Sequence, residues 1–247
     1  MSSTPADQPA SFDVGAVLAA PTKDPRWVVT CGAMGLWALV PIVGALNLAG
    51  WVRAVAERRM AGGDDALTLP PARLAYVGAG WRMFLARAPL GLLFALFLAV
   101  AGGASFALIR LGDGGEVLGL LVMLGAYGAV LVGSLVASLL APAIDFLHIV
   151  EDEPWASVAF GRQWEVIRAG GLQYLLVFVA ALVAGLLAQL GALACLVGLF
   201  VSMPYSFAVQ GATVAEYARI LAARPTTPSR RPAVGGVGGV GGNPFGV

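Results

Sequence analysis

Long apolar runs alternate with short polar segments along this chain, and the longest run, 171–218, carries no charge before Glu216. About 20 apolar residues cross the roughly 30 Å hydrocarbon core of a bilayer, so this run is long enough for two crossings. A break at 189–191 (Gln-Leu-Gly) predicts a tight turn between a fourth span near 172–190 and a fifth near 192–217. The pattern therefore predicts a transmembrane helical hairpin.

The first apolar block, 27–52, is long enough to cross once with tilt, because a single helix of this length measures about 39 Å. Pro41 lies in its middle and removes a backbone donor, which predicts a kink. The alternative is a re-entrant pair of half-helices, each too short to cross alone. We favour the kinked span and keep the alternative open.

Two further spans are predicted near 88–108 and 117–140, joined by a short polar turn. Pro142 is expected to end the second of these helices as it leaves the membrane. Small residues recur every four positions along that helix, which predicts a face where a neighbouring backbone comes close. This packing stripe comprises Ala129, Gly133, Ala137 and Ala141.

Two polar connections contain amphipathic segments, 74–87 with Trp81 and 156–169 with Trp164, and both predict helices lying in the membrane interface. An ordinary connecting loop whose helix packs on the bundle is the alternative for the first. The predicted fold is an all-α polytopic transmembrane bundle of about five spans with two interfacial helices. Its membrane domain covers 27–221, between a disordered N-terminal tail (1–26) and a Gly/Pro-rich disordered C-terminal tail (222–247).

Composition supports a membrane protein, because 59% of the 247 residues are hydrophobic and only 12% are charged, against about 25% in soluble domains. Arginines concentrate in the two long connections and the C-terminal tail, whereas the opposite turns contain only Arg110. The positive-inside rule then places both long connections and the C-terminus in the cytoplasm of an inner-membrane protein. The side of the N-terminus depends on whether the first block crosses or re-enters.

Polar residues in or beside the spans are the candidates for function, since such groups are costly in lipid. Asp145 and His148, three residues apart, form a possible cytoplasmic-mouth cluster. Asn47 and Gln210 are candidates for helix pairing or for lining a path. Pro41 and Pro204, with Tyr205 beside the latter, are the candidate kink positions. Neither the single histidine nor the two cysteines shows metal-ligand spacing, and we expect no cofactor, metal or catalytic residue.

Two stretches carry a family resemblance. The first apolar block contains a Pro-Ile pair (Pro41, Ile42) followed by Asn47, Gly50 and Arg53. Later, segment 155–175 contains an Ala-Phe pair, and segment 194–221 contains Gly-Leu-Phe and Pro-Tyr elements. These features resemble the domain-of-unknown-function family 4013, multi-pass membrane proteins of bacteria and archaea. The similarity covers about 24–221. It implies a multi-pass architecture and supplies no catalytic residues.

The sequence predicts a non-enzymatic membrane scaffold or accessory subunit that contacts lipid and binds a second copy or a partner membrane protein. A net charge of +1 argues against nucleic acid as a partner. The alternative is a channel or transporter component for a small solute. The two hypotheses differ over Asn47 and Gln210, which a conduit would place in one shared cavity.

Overall fold

Eight α-helices make up most of the chain that the computed structural model describes, namely residues 11–62, 67–112, 114–193 and 196–224. No strand occurs within these ranges, so the all-helical prediction is confirmed for them. The helices are α1 (Val14–Leu18), α2 (Trp27–Trp37), α3 (Pro41–Ala61), α4 (Val77–Ile109), α5 (Gly115–Val150), α6 (Phe160–Gly170), α7 (Leu172–Leu193) and α8 (Leu196–Ala223).

Helix α8 is the centre of the bundle and packs against α7, α3 and α2. The predicted hairpin is therefore present as α7 and α8. Its turn is not at 189–191, because α7 continues through these residues to Leu193. The connection instead includes 194–195, which lie outside the described residues.

Three helical segments of the described chain are long and apolar enough to cross a membrane: Leu74–Ile109, Gly115–Val150 and Leu172–Gly191. They support the prediction of a transmembrane protein. The prediction of about five spans is not confirmed, because α3 and α8 fall outside this group and α2 is only a short apolar helix.

The first apolar block forms two helices and not one kinked span. α2 ends at Trp37, three residues intervene, and Pro41 occupies the first turn of α3, where its missing N–H removes no helical hydrogen bond. With 11 residues, α2 is about 16 Å long, too short to cross alone. The favoured single span is thus not confirmed, and whether the two helices re-enter the membrane stays a prediction.

Two proline-containing helices, α4 and α5, continue through positions where the sequence predicted a helix boundary. Segment 74–87 forms no separate interfacial helix, because α4 continues through it for 33 residues, past Pro89. α5 likewise passes Pro142 and ends at Val150, so the expected helix end is wrong. Every residue of 143–149 is buried, and this packing offsets the loss of one backbone hydrogen bond at the proline.

The second amphipathic segment does form its own helix, α6, which begins at Phe160 and not at 156. The residues before it form turns, and the Ser157 N–H donates to the Ala86 carbonyl of α4 at 3.3 Å. Gln163 and Val166 are buried on one face, while Trp164 is exposed on the other and carries the Arg168 guanidinium 5.0 Å from its ring centroid. A position in the membrane interface stays a prediction.

The predicted N-terminal tail is partly folded, contrary to expectation. Residues 11–26 contain α1, capped by the Asp13 side chain, which accepts from the Ala16 N–H at 2.9 Å. Phe12 is buried, and its N–H donates to Gln173 Oε1 of α7 at 2.7 Å. Hydrophobic burial against α7 and α8 therefore orders this segment. The rest of the two predicted tails, 1–10 and 225–247, lies outside the described residues.

The predicted small-residue stripe of α5 faces α4 only in part. A side-chain atom added at Gly133 would lie 2.8 Å from the Phe94 ring of α4, and Ala137 and Ala141 are half-buried on the same side. Ala129 is exposed, so it does not pack on α4, and its role in packing against another helix stays a prediction. On a helix of 3.6 residues per turn, residues spaced four apart are rotated by about 40° from one to the next. Over the three steps between Ala141 and Ala129, this rotation carries the stripe out of the interface with α4.

Candidate functional site

A cleft of about 420 Å³ lies where the α4–α5 hairpin separates from the α7–α8 hairpin. Its size falls within the range of small-molecule sites, roughly 300–1,000 Å³. Arg87 and Asp145 form a polar end, α7 side chains from Phe178 to Leu186 form an apolar part, and Gln189 also lines the cleft one turn further along α7. The lining residues are Arg87, Ser138, Ala141, Pro142, Asp145, Phe178, Ala181, Leu182, Gly185, Leu186, Gln189, Gln210, Thr213 and Val214.

An ion pair between Arg87 of α4 and Asp145 of α5 closes the polar end. Arg87 Nε donates to Asp145 Oδ1 at 3.1 Å, and Arg87 Nη2 donates to the same oxygen. The Asp145 side chain is 7% exposed, whereas that of Arg87 is 40% exposed. The carboxylate is therefore held in place by a cation that still has free surface toward the cleft.

Gln210 of α8 adds an amide to this polar end and is half-buried. Within the described chain its amide has no recorded hydrogen bond, so one donor group and one acceptor are available. Thr213 and Ser138 have hydroxyl groups that bond back to their own helices, at Val209 O and Ser134 O, both at 2.8 Å. This arrangement can bind and orient a polar group, with no nucleophile activated by a neighbouring base among its lining residues.

The predicted Asp145–His148 cluster separates in the structure. Asp145 reaches the cleft, but His148 is buried under the 151–153 segment, where its Nδ1 lies 3.2 Å from the Glu153 carbonyl. Among the described residues no group of three or more His, Cys, Asp or Glu side chains could hold a metal ion.

Asn47 is fully buried, lies away from the cleft, and has a structural role. Its Nδ2 donates to the Arg73 carbonyl at 2.9 Å, and its Oδ1 accepts from the Tyr76 N–H at 3.3 Å. It thereby fixes the segment that leads into α4 against α3. Asn47 and Gln210 do not share a cavity.

The kink positions are also structural. Pro41 begins α3, and Pro204 lies inside the continuous helix α8. The Tyr205 hydroxyl donates to the Leu18 carbonyl at 2.6 Å, and its ring meets Trp27 edge-on at 5.4 Å between centroids. None of the three lines the cleft.

Charged and aromatic residues collect at the end of the bundle where the Arg87–Asp145 pair lies. Arg53 of α3 donates to Asp152 beyond the end of α5, Nη1 to Oδ1, at 2.9 Å. Arg224, after α8, donates to the Gly170 carbonyl at the end of α6 at 3.1 Å. Three exposed tryptophans accompany these groups: Trp81, Trp155 and Trp164. Exposed tryptophan rings next to a charged end are typical of a membrane–water interface.

The Arg53 pair makes a small contribution to stability that depends on pH. The hydrogen bond from Arg53 lowers the pKa of Asp152 below its ordinary value of 3.8. A carboxyl group whose pKa is lowered by folding stabilises the folded protein at pH values above its unfolded-state pKa. This stabilisation is lost as the pH falls through the pKa of the folded state. Because the Asp152 side chain is 70% exposed, the effect is below about 1 kcal/mol.

We expect Asp152→Asn to lower the melting temperature slightly at pH 7 and to melt like the wild type near pH 3. Asparagine tolerates the left-handed backbone at this position (φ 54°), so the substitution tests the charge without adding backbone strain. Thermal unfolding in detergent at both pH values measures the effect. A difference that persists at pH 3 would show that the ion pair is not its cause.

Sequence reasoning identified Asp145 and Gln210 but assigned Arg87 to an interfacial helix. The partners Arg87 and Asp145 are 58 positions apart, and no local pattern connects them. The one available signal was their shared place at the boundary of an apolar run: Arg87 directly precedes one and Asp145 directly follows another.

No protein-family model, curated protein or solved structure matches this chain. The resemblance to family 4013 therefore stays a prediction carried by the residues quoted for it. Function has to be inferred from the cleft and from the surfaces of the helices.

Proposed function

We propose that this protein is a non-enzymatic inner-membrane scaffold or accessory subunit, with its charged end and C-terminus in the cytoplasm. Its α4–α5 hairpin pairs with the same hairpin of a second copy. One observation carries the proposal: the most apolar stretches of α4 and α5 are only 6% and 0% buried within the chain. Because these apolar stretches are so little buried within the chain, they offer most of their surface to other membrane components.

The outward face of α5 has the shape that helix pairing in a membrane requires. Lipid tails are as apolar as leucine, so helices associate through close packing of small residues and not through hydrophobic burial. Gly125 and Ala129 are exposed one turn apart, with Gly128 beside them, and a side-chain atom added at either glycine would meet nothing within 4 Å. Further along the helix, the space beside Gly133 is already occupied by the Phe94 ring of α4.

Gly125→Leu should weaken self-association about tenfold, or roughly 1.4 kcal/mol, because a leucine side chain holds the two helix backbones apart. Single-molecule photobleaching in liposomes, over a range of protein-to-lipid ratios, measures the dimer fraction. Gly185→Leu is the matched control, since Gly185 is also an exposed helical glycine with open space around it, but lies on α7. A wild-type protein that stays monomeric at all ratios would overturn pairing with a second copy and leave a different membrane protein as the partner.

A conduit for a small solute is the second candidate, and the 420 Å³ cleft with the free Gln210 amide favours it. The structural role of Asn47 weighs against it, because Asn47 does not line the cleft that contains Gln210. Cysteine substitutions along 28–52 and 193–214, in a chain lacking its native cysteines, distinguish the two functions. Periodic labelling by a water-soluble reagent would support a conduit, and uniform protection would eliminate it.

A further inference from the structure

We propose that the cleft between the two hairpins binds one molecule of a phospholipid with a primary-amine zwitterionic headgroup, phosphatidylethanolamine. Its phosphate contacts Arg87, its ammonium contacts Asp145, and an acyl chain lies along α7. The proposal requires only that the helices span a membrane. It does not depend on pairing with a second copy.

The depth of the polar end matches that of a lipid headgroup. The run 88–109 of α4 starts directly after Arg87 and contains no charge for 22 residues, which is about 33 Å of helix and one hydrocarbon thickness. The apolar run of α5 ends directly before Asp145. Both charges therefore lie at the same boundary of the hydrocarbon core, where Trp81 and Trp155 are exposed as interface anchors.

The charges of the polar end match a zwitterion better than an anion or a cation. Both recorded bonds from Arg87 end on Asp145 Oδ1, so within the described chain Oδ2 keeps its lone pairs. Arg87 still has N–H groups that make no recorded bond there. A purely anionic headgroup would meet the Asp145 carboxylate, and a purely cationic one would meet the guanidinium. An ammonium adjacent to a phosphate satisfies both, and its N–H groups can donate to Oδ2.

The apolar part of the cleft can hold the part of an acyl chain nearest the headgroup. It follows α7 from Phe178 to Leu186, a distance of about 12 Å. Leu182 and Leu186 border it with exposed side chains. A side-chain atom added at Gly185 would meet nothing within 4 Å, so the absence of a side chain there keeps the groove open. Gln210, at the polar end, can bond to the headgroup or to the ester carbonyl groups.

Native mass spectrometry of the full chain, delipidated in detergent and titrated with single lipids, tests the proposal. We expect one tightly retained phosphatidylethanolamine, bound at least about tenfold more tightly than phosphatidylglycerol, which lacks the ammonium. Phosphatidylcholine should also bind more weakly, because its quaternary ammonium has no N–H to donate. Equal retention of all three lipids would mean nonspecific adhesion and would overturn the proposal.

Gly185→Leu should reduce phosphatidylethanolamine binding about tenfold by filling the groove, and leucine in place of an exposed helical glycine should not unfold α7. Gly161→Leu, at another exposed helical glycine with nothing within 4 Å but on α6, is the matched control and should bind like the wild type. Asp145→Asn keeps an oxygen for Arg87 but loses the carboxylate, so its preference should shift from phosphatidylethanolamine to phosphatidylglycerol. Unchanged binding by Gly185→Leu, or an unchanged preference in Asp145→Asn, would contradict the site.

Discussion

Gly80→Ala should destabilise the folded protein by about 3 kcal/mol although it adds a single methyl group. α3 and α4 cross backbone against backbone at this point. The new carbon would lie 1.6 Å from the Leu46 carbonyl oxygen and 2.9 Å from the Gly50 nitrogen. No side-chain rotation can relieve contacts with main-chain atoms, so the helices must separate and lose the packing around Asn47 and Leu48.

Gly78→Ala is the matched control, two residues earlier on the same helix. A carbon added at Gly78 meets nothing within 4 Å, and alanine is favoured over glycine in a helix by roughly 0.5–1 kcal/mol. This variant should therefore be as stable as the wild type or slightly more stable. Chemical or thermal unfolding in detergent, followed by tryptophan fluorescence, measures both variants. Equal stability of the two would show that α3 and α4 do not cross at this point.

Asn47→Leu should also destabilise the folded protein, by about 1–3 kcal/mol, because it removes the partners of two part-buried backbone groups. The Arg73 carbonyl loses the Nδ2 donor at 2.9 Å, and the Tyr76 N–H loses the Oδ1 acceptor at 3.3 Å. Leucine is branched at the same position as asparagine and is larger, so the substitution leaves no cavity, and the effect comes from the lost hydrogen bonds and from crowding at a fully buried position. The same unfolding measurement applies.

Two variants identify the cause of the Asn47 effect. Asn47→Asp keeps an acceptor for Tyr76 but loses the donor to Arg73, and should also be destabilised. Gln210→Leu replaces the other predicted intramembrane amide, which makes no recorded bond within the described chain, and should change stability by less than about 1 kcal/mol. If Gln210→Leu proved as damaging as Asn47→Leu, the division between a structural and a cleft-lining amide would be wrong.

The prolines show why helix boundaries were the least predictable part of the fold. Pro41, Pro89, Pro142 and Pro204 have the same local chemistry, yet only Pro41 starts a new helix. A proline inside a helix removes one hydrogen bond and crowds the preceding turn. Whether the helix continues depends on the packing around it, and 143–149 are buried after Pro142. That packing comes from other helices, so the local sequence does not contain it.

The close helix crossings could not be predicted from the sequence for a related reason. A side-chain atom added at Gly35 would meet the Phe200 backbone at 1.9 Å, and one added at Gly50 would meet the Tyr76 carbonyl oxygen at 2.0 Å. The sequence contains 33 glycines, and many of them, Gly78 and Gly125 included, face open space. The sequence pattern indicated small-residue packing on α5, whereas the closest approaches to backbone atoms are those of glycines on α2, α3 and α4.

By itself, the sequence determined the all-helical class, the apolar segments that can cross a membrane, the α7–α8 hairpin and the amphipathic helix α6. These follow from composition and from periodicity over neighbouring residues, which a linear chain displays directly. The tertiary structure alone decided which polar residue serves the fold and which faces a cleft. Asn47 finds its partners 26 and 29 residues away, and Asp145 finds Arg87 at a separation of 58. Hydrogen bonds and ion pairs between distant segments depend on how the helices cross, and those crossings are set by the packing of the whole bundle.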